Sequence, residues 1–329
     1  MDAAITGATG HVGASLVRSL IGRGSSVRVL VREDLRAVEG LKVDKVRGDV
    51  LDFESLLKLC RGVKTVFHLA AKISIVGSER GTVGKINIEG TNNVIKACLK
   101  CGVKRLVHFS SIHAYRALHA GEVLDETGVL ATGESEFPYD RSKAVAQLAV
   151  HEAVRYGLET VVLNPTGIVG PYDFKPSRMG EVLLDIYHRR YPALIDGGYD
   201  WVDSRDVAAC ALAAEKKGKP GENYLVSGHW LHIHGVARII EKLYGVRAPR
   251  LVVPAWLCTI PSYCSLAVAT TLGKTPKLTP YSLKVIRTRH SVSHDKASRE
   301  LGYNPRPVEE TIRDTIDWFN ERGMLAPAG

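Results

Sequence analysis

Tyr139 and Lys143, in the run Tyr139-Asp140-Arg141-Ser142-Lys143, are the residues whose types and spacing point most directly to chemistry. Four residues apart on a helix, they lie one turn apart on the same face. A phenol with a pKa of about 10 is a poor base at neutral pH. An ammonium within about 4–6 Å favours the phenolate and lowers that pKa. Such a pair can give and take a proton, as interconversion of a carbonyl and an alcohol requires. Tyr-x-x-x-Lys also arises by chance on exposed helices, so its meaning depends on the elements that hold it.

Those elements begin at the N-terminus. Ala3-Ala4-Ile5 reads as a short buried strand, followed by Thr6-Gly7-Ala8-Thr9-Gly10-His11-Val12-Gly13. Next comes a helix with Val12, Leu16, Val17, Leu20 and Ile21 on one face. Strand, glycine turn, helix is the context of a dinucleotide site. Glycines permit the tight turn and close backbone approach, and the pyrophosphate sits on the helix N-terminus. The spacing is GxxGxxG rather than GxGxxG. Val27–Val31 reads as the second strand. At its end, where an acidic residue would bind the ribose hydroxyls of NAD, stands Arg32, which suits the 2′-phosphate of NADP. A solvated strand-end charge is the alternative for Arg32, and Glu33 and Asp34 blur the preference. A third strand, Val43–Arg47, leads to Gly48-Asp49-Val50, where Asp49 can accept from an adenine amino group. Asp52 reads as the cap of a short helix to Cys60. Val63–Leu69 is the fourth strand, and the small residues Ala70 and Ala71 after it leave room for a ribose. A helix is expected through Asn87 to about Cys101, and Val103–Phe109 as the fifth strand, before Ser110 and Ser111.

This alternation predicts an α/β protein with a Rossmann-type, doubly wound parallel sheet. Ligands bind at the carboxyl ends of such strands, where a serine hydroxyl can donate to a substrate carbonyl oxygen. A sixth strand, Glu159–Leu163, precedes the Pro/Gly-rich run Asn164–Pro171, expected to be a loop walling the nicotinamide. Ser204–Glu215 reads as a capped helix, Asn223–Val226 as a strand, and 233–244 and 307–321 as helices. The expected division is an NAD(P)-binding domain of 1–166 plus about 204–228, with a smaller, mostly C-terminal α/β substrate region of 167–203 and 229–329.

The chain has 329 residues, 45% hydrophobic and 24% charged, which suits one large or two coupled domains. Its net charge of +9 is spread, without a Lys/Arg block or an aromatic-interleaved basic tract. That favours a solvated basic surface, then a phosphate-bearing ligand, over nucleic acid. Cys98 and Cys101 form a single CxxC at a helix end. Zinc would want four ligands, so a packing pair is expected and no metal. The N-terminus runs straight into a strand without a secretory leader, so a cytoplasmic location is expected. Leu251–Gly273 carries no charge, yet Pro254 and Pro261 interrupt it. A buried or pocket-covering helix pair is expected there rather than a span, with membrane-surface attachment as the alternative.

TGATGHVG, Asp49-Val50, His68-Leu69-Ala70-Ala71, Phe109-Ser110-Ser111, Tyr139-x-x-x-Lys143 and Asn164-Pro165 occur in this order. Together they resemble the extended short-chain dehydrogenase/reductase family, of the NAD(P)-dependent epimerase/dehydratase type, over nearly the whole chain. Within it the chain resembles the dihydroflavonol 4-reductase-like and 3β-hydroxysteroid dehydrogenase-like group, to which the segment Gly167–Gly180 is also similar. The resemblance implies Tyr139 as proton donor or acceptor. It implies Lys143 as the group that lowers the phenol's pKa and holds the nicotinamide ribose, and Ser111 as the hydroxyl that orients the substrate oxygen. Ser111 rather than Ser110 is implied because Tyr115 follows four residues later. Gly7, Thr9, Gly10, His11 and Val12 would hold the pyrophosphate. Arg32, Asp49, Val50, Leu69, Ala70, Ala71, Asn164, Pro165 and Gly167 would make further cofactor contacts. A homodimer through the helices near 88–101 and 139–154 is implied as well. His113, Tyr172, Lys175 and Arg178 are candidate substrate contacts. Sugar-nucleotide dehydratases carry an Asp-Glu pair directly after the serine or threonine. Here Ile112 and His113 stand there, which disfavours water elimination.

The expected activity is an NAD(P)(H)-dependent carbonyl reductase or alcohol dehydrogenase, with NADP(H) as cofactor and NAD(H) as the alternative. Its substrate would be a small molecule with a carbonyl or secondary alcohol, and the uncharged 251–273 segment motivates a sterol- or lipid-like variant. A sugar-nucleotide epimerase with tightly held NAD would use the same residues, with Lys175, Arg178, Arg189 and Arg190 toward a diphosphate. A solvated face is the simpler account of those four. A non-catalytic NADP sensor on this fold would not need Ser111, Tyr139 and Lys143.

Overall fold

Ala3–Thr6 and Thr65–His68 are buried along their whole length. Strands covered on both faces need helices on both sides, and a parallel sheet supplies them through its crossovers. The computed structural model describes residues 1–118, 121–287 and 291–325. Its first half runs β1 (Ala3–Thr6), α1 (His11–Gly22), β2 (Val27–Val31), β3 (Asp44–Arg47), α2 (Phe53–Cys60) and β4 (Thr65–His68). It continues through α3 (Thr82–Gly84), a π turn (Lys85–Glu89), α4 (Gly90–Cys101), β5 (Arg105–Phe109), β6 (Val123–Leu124), α5 (Pro138–Glu152) and β7 (Glu159–Pro165). The second half has β8 (Gly167–Val169), α6 (Arg178–Tyr187), β9 (Leu194–Ile195), β10 (Gly198–Asp203), α7 (Ser204–Lys217) and β11 (Asn223–Val226). It ends with β12 (His229–His232), α8 (Ile233–Tyr244), β13 (Val252–Val253), α9 (Thr259–Thr271), α10 (Pro280–Arg287), β14 (Ser291–Val292), α11 (Asp295–Leu301) and α12 (Val308–Glu321).

The main sheet has seven strands in the order β11-β7-β5-β4-β1-β2-β3. All its pairings are parallel: Ala3 stands opposite Val27 on one side and Thr65 on the other. The chain steps outward from β1 in both directions, so the crevice beyond β1 and β4 is the switch point where ligands bind. Leu16, Val17 and Leu20 of α1 pack with Val207 and Ala211 of α7 on one face. Leu56, Leu59, Val94 and Val150, from α2, α4 and α5, pack on the other. Each such side chain stabilises the fold by about 1.5–3 kcal/mol through burial. A second sheet, β12-β10-β8, carries a separate core with Leu183, Ile240, Ile316 and Phe319 from α6, α8 and α12.

The structure departs from the sequence expectation at the Asn164–Pro171 run and at the uncharged segment. Asn164 and Pro165 belong to β7, and Gly167–Val169 is a strand on β10, so Asn164–Pro171 is not a continuous loop. Gly167 is required there by close packing: a Cβ would stand 2.8 Å from the Asp200 carbonyl oxygen. The helix expected through Asn87 to about Cys101 is present: it runs without interruption from Thr82 to Cys101 and carries a π turn at Lys85–Glu89. The uncharged segment is not a buried helix pair. It is a short strand, a 3-10 turn (Ala255–Cys258) and the single helix α9, and most of its large side chains face outward.

Candidate active site

The turn after β1 places the first half of the site. Gly7 has φ +75°, and a Cβ on it would sit 2.7 Å from the Ala70 nitrogen. A Cβ on Gly13 would stand 2.1 Å from the Gly7 carbonyl oxygen. Only glycine gives this close approach of the turn to α1 and to the end of β4. Gly10 caps α1 without any side-chain hydrogen bond. The first N–H groups of a 12-residue helix, from His11 and Val12 onward, are therefore open to an anion at the positive end of its dipole. Gly7, Thr9 and Gly10 form the turn itself. The residues present fit a dinucleotide pyrophosphate.

The His11 side chain points elsewhere. Its Nε2 donates to the Gly170 and Pro171 carbonyls at 3.0 and 3.2 Å, tying the turn to the second half of the chain. Any part His11 takes in holding a phosphate is through its backbone N–H. Arg32 stands at the end of β2 with its side chain 75% exposed and 3.6 Å from Asp49. Asp49 Oδ1 accepts from the Leu51 N–H at 3.0 Å, and Val50 is buried beside Gly90. Leu69, Ala70 and Ala71 follow β4, and the Ala70 N–H donates to Thr6 Oγ1 at 3.3 Å.

A buried chain of side chains runs from that edge to α5. The Thr91 hydroxyl donates to the Asn87 carbonyl at 2.6 Å, so it accepts from His68 Nε2–H at 3.0 Å. His68 Nδ1 then accepts from the Thr6 hydroxyl at 2.7 Å. The imidazole is neutral, because burial first and Lys143 second hold its pKa down at about 3. Asn87 sits in the π turn, a kind of helix defect that recurs at functional sites. Its amide accepts from Lys72 N–H at 2.7 Å and donates to Ser142 Oγ at 2.8 Å. Ser142 in turn donates to the Tyr139 carbonyl at 2.7 Å.

Tyr139 opens α5 behind Pro138 at the first helical position. Tyr139 and Lys143 are 7% and 3% exposed, and Ser111, at the end of β5, is buried too. Ser111 Oγ accepts from the His113 N–H at 3.2 Å, starting a 3-10 turn over Ile112–Ala114. Asn164 Nδ2 donates to the Ser111 carbonyl at 2.9 Å and to Gln147 Oε1 at 2.8 Å. It therefore locks the serine to α5; Asn164 is fully buried and acts here as a positioning residue. Pro165 continues the strand beside it. The Tyr139 phenol is raised to about 12, chiefly by burial, while its hydrogen bond with Ser111 acts in the lowering direction. The expected depression by Lys143 is thus absent: desolvation dominates, and the Lys143 ammonium donates to the Phe109 carbonyl at 2.7 Å. Burial lowers Lys143 to about 8. At neutral pH the site presents a protonated phenol, a hydroxyl and a buried cation at one strand end. It is equipped to donate a proton to an oxygen gaining negative charge.

The second half of the chain closes over this group. Tyr281 of α10 stacks on Phe137, ring centroids 3.6 Å apart. Its hydroxyl donates to Asp140 and stands 3.0 Å from His113 Nδ1. The His113 ring meets Tyr139 edge-on at 5.9 Å. His113 thus lies beside the Tyr139 phenol but is held by α10. Tyr281 escaped the sequence reading because nothing local marks it; its partner is 141 residues away. Asn87 and Gln147 were equally invisible, though a polar residue at a buried helical position was a usable signal for both. Arg178 begins α6 and reaches the Pro276 carbonyl at 3.5 Å, half-buried between α6 and the segment before α10. Tyr172 and Lys175 are not brought to Tyr139. Tyr172 lies under the Arg18 guanidinium, 4.5 Å from ring to cation, and against Trp318. The Asp34 carboxyl is lowered to about 2, first by Arg36 and last by exposed Lys175. Lys175 therefore stands near the end of β2, three strands from β5.

A family model described as NAD dependent epimerase/dehydratase matches residues 3–227. Sterol demethylase protein B of Methylococcus capsulatus is 35% identical over 330 residues, covering 99% of this chain and 100% of that protein. A putative dihydroflavonol 4-reductase of Synechocystis sp. is 31% identical over 327 residues, covering 98% and 95%. Among solved structures, the crystal structure of gox2253 superposes with a TM-score of 0.86 at 32% identity, covering 98% of this chain and 99% of that one.

Proposed function

The chain belongs to the NAD dependent epimerase/dehydratase family of extended short-chain dehydrogenases/reductases, and on that premise we propose that it is an NADP(H)-dependent carbonyl reductase or alcohol dehydrogenase. The observation that carries this reading is the buried, protonated Tyr139 beside Ser111 and Lys143, with no acid pair after Ser111 to support dehydration. The nicotinamide of a cofactor held at the glycine turn would supply the hydride in reduction and accept it in oxidation. Tyr139 gives its phenolic proton to the substrate oxygen as that oxygen gains charge, and Ser111 donates a hydrogen bond to the same oxygen. Lys143 holds a positive charge one helical turn behind the phenol and supports the phenolate that remains. Exposed Arg32, only loosely paired with Asp49, is the group we assign to the 2′-phosphate of NADP. The substrate is a small molecule with a carbonyl or secondary alcohol. A homodimer through α4 and α5 is supported by exposed Leu99 and Leu148 on those helices. All six cysteines are free thiols, which suits a cytoplasmic location.

Titration of the purified protein with NADP(H) and NAD(H) tests the assignment. Cofactor-free protein with tighter NADP(H) binding, weakened by Arg32→Ser, is expected. Co-purified NAD that does not exchange would point instead to an epimerase. Tyr139→Phe should lower turnover by about 10²–10⁴-fold with cofactor binding retained, and normal turnover in that variant would remove Tyr139 from its role.

A further inference from the structure

The segment from Leu251 to Gly273 turns the wrong side to solvent for an ordinary surface helix. α9 buries Ser262 and Ala269, small residues on one stripe. It directs Ile260 and Tyr263 outward, at 76% and 61% exposure. A surface helix normally buries its large apolar side chains and exposes its small and polar ones. The preceding 3-10 turn adds Trp256 at 66% exposure. Of the sixteen exposed large hydrophobic residues of the described chain, eight fall between Leu251 and Leu272. A contiguous exposed apolar face of this kind marks a binding surface.

Charge decides what it binds. The sequence has no Asp or Glu between Glu241 and Asp295, while Lys or Arg occurs at 242, 247, 250, 274, 277, 284, 287 and 289. Arg247 and Arg250 line one hollow with Arg189, next to the start of the apolar run. Lys274 and Lys277 stand exposed at its other end. Arg250 and Lys277 have ion-pair partners, Glu241 and Asp185, yet remain 86% and 65% exposed along their side chains. The face is thus apolar in the middle, with Trp and Tyr among its members, and basic at both ends. A second copy of the chain would bring the same positive rim against this one, because a twofold interface pairs a patch with itself. An anionic bilayer surface is complementary to both parts.

We propose that this face docks on a bilayer carrying anionic lipid. Trp256, Ile260 and Tyr263 enter the headgroup–acyl boundary, and the flanking Lys and Arg residues lie at headgroup level. α9 lies in the plane of the surface: among the described residues no helix is long and apolar enough to cross a membrane. α10, which follows α9, carries Tyr281 onto the helix of Tyr139, so the docking face is one element from the reacting group. The proposal does not depend on the identity of the substrate or on the direction of the reaction.

Flotation of the full chain with vesicles tests it. Phosphatidylcholine vesicles are compared with vesicles that also contain phosphatidylglycerol, at low and high salt. The protein should float with the anionic vesicles at low salt and be released by high salt. Binding should be weaker by about tenfold or more without phosphatidylglycerol, as the loss of a few basic-residue contacts requires. Trp256→Ser combined with Ile260→Glu should abolish flotation while melting temperature and cofactor binding stay unchanged. If that variant proves unstable, Arg247→Glu with Lys274→Glu, which leaves the apolar face intact, should also abolish it. Failure of the wild type to float with anionic vesicles overturns the proposal, as does equal flotation of both variants. A wild-type dimer that Ile260→Glu splits into monomers also overturns it, by showing that a second copy covers the face.

Discussion

Burial costs the Lys143 cation solvation that its hydrogen bond to Phe109 only partly replaces. Its folded pKa of about 8 lies below the ordinary 10.5. The sign follows from proton counts. Between those values the unfolded chain binds the proton and the folded protein does not, so this contribution raises stability as pH rises through the window. Below about pH 8 both states are charged and the full penalty of burial stands. Lys143→Met should therefore stabilise the protein at neutral pH, by about 1–3 kcal/mol after the lost hydrogen bond is counted. The gain should fade as pH approaches 10.5, and turnover should collapse at every pH. Melting temperatures of wild type and variant across pH 7 to 10.5 measure it, and a variant less stable at pH 7 would contradict the assignment. Tyr139 and Lys143 were legible because their spacing follows a strand, glycine turn and helix that give it meaning. The direction of the phenol's pKa was not, since desolvation is set by residues that close over it from elsewhere in the chain.

At the scale of elements, the strand–turn–helix at the N-terminus was legible because its demand for glycine is local. Gly7 needs a positive φ, and Gly13 must let the turn pass within contact of α1. Gly13→Ala tests the geometry directly. Its Cβ would stand 2.1 Å from the Gly7 carbonyl oxygen, so the turn must move off the helix. Such overpacking costs about 1–3 kcal/mol. Cofactor affinity should fall with it, since the shifted backbone carries the N–H groups proposed for the pyrophosphate. Calorimetric titration together with a thermal melt reads both effects, and unchanged affinity would separate the glycine turn from cofactor binding. The Asn164–Pro171 run was misread for the opposite reason. Proline and glycine signal a loop locally, but Pro165 ends a strand where its missing N–H is tolerated, and Gly167 is demanded by a neighbouring strand. The uncharged segment failed similarly, because a run without charge does not say which of its sides the rest of the chain covers.

At the scale of the whole molecule, α10 is one of the places where the second half of the chain reaches the first. The parallel sheet could be inferred from alternating strands and helices, but no periodicity says that residue 281 returns to residue 140. Tyr281 joins the halves in two ways: its ring stacks on Phe137, and its hydroxyl bonds Asp140 beside His113. Burial and the Asp140 carboxylate push its phenol well above the ordinary range, so the hydroxyl stays a donor at any pH the protein meets. Tyr281→Phe keeps the stacked ring and removes only the bonds. The loss, about 1–3 kcal/mol for hydrogen bonds to a charged partner, falls on the joint rather than on the sheet. Backbone amides of α10 should therefore exchange with solvent faster by about 5- to 150-fold, while amides of β1 and β4 keep their protection. Cofactor affinity should be unchanged, because the glycine turn and the ends of β1 and β4 do not touch Tyr281. Hydrogen exchange followed across the chain distinguishes this from general destabilisation. Uniform acceleration in sheet and α10 alike would show that Tyr281 supports the fold as a whole and does not latch one half onto the other.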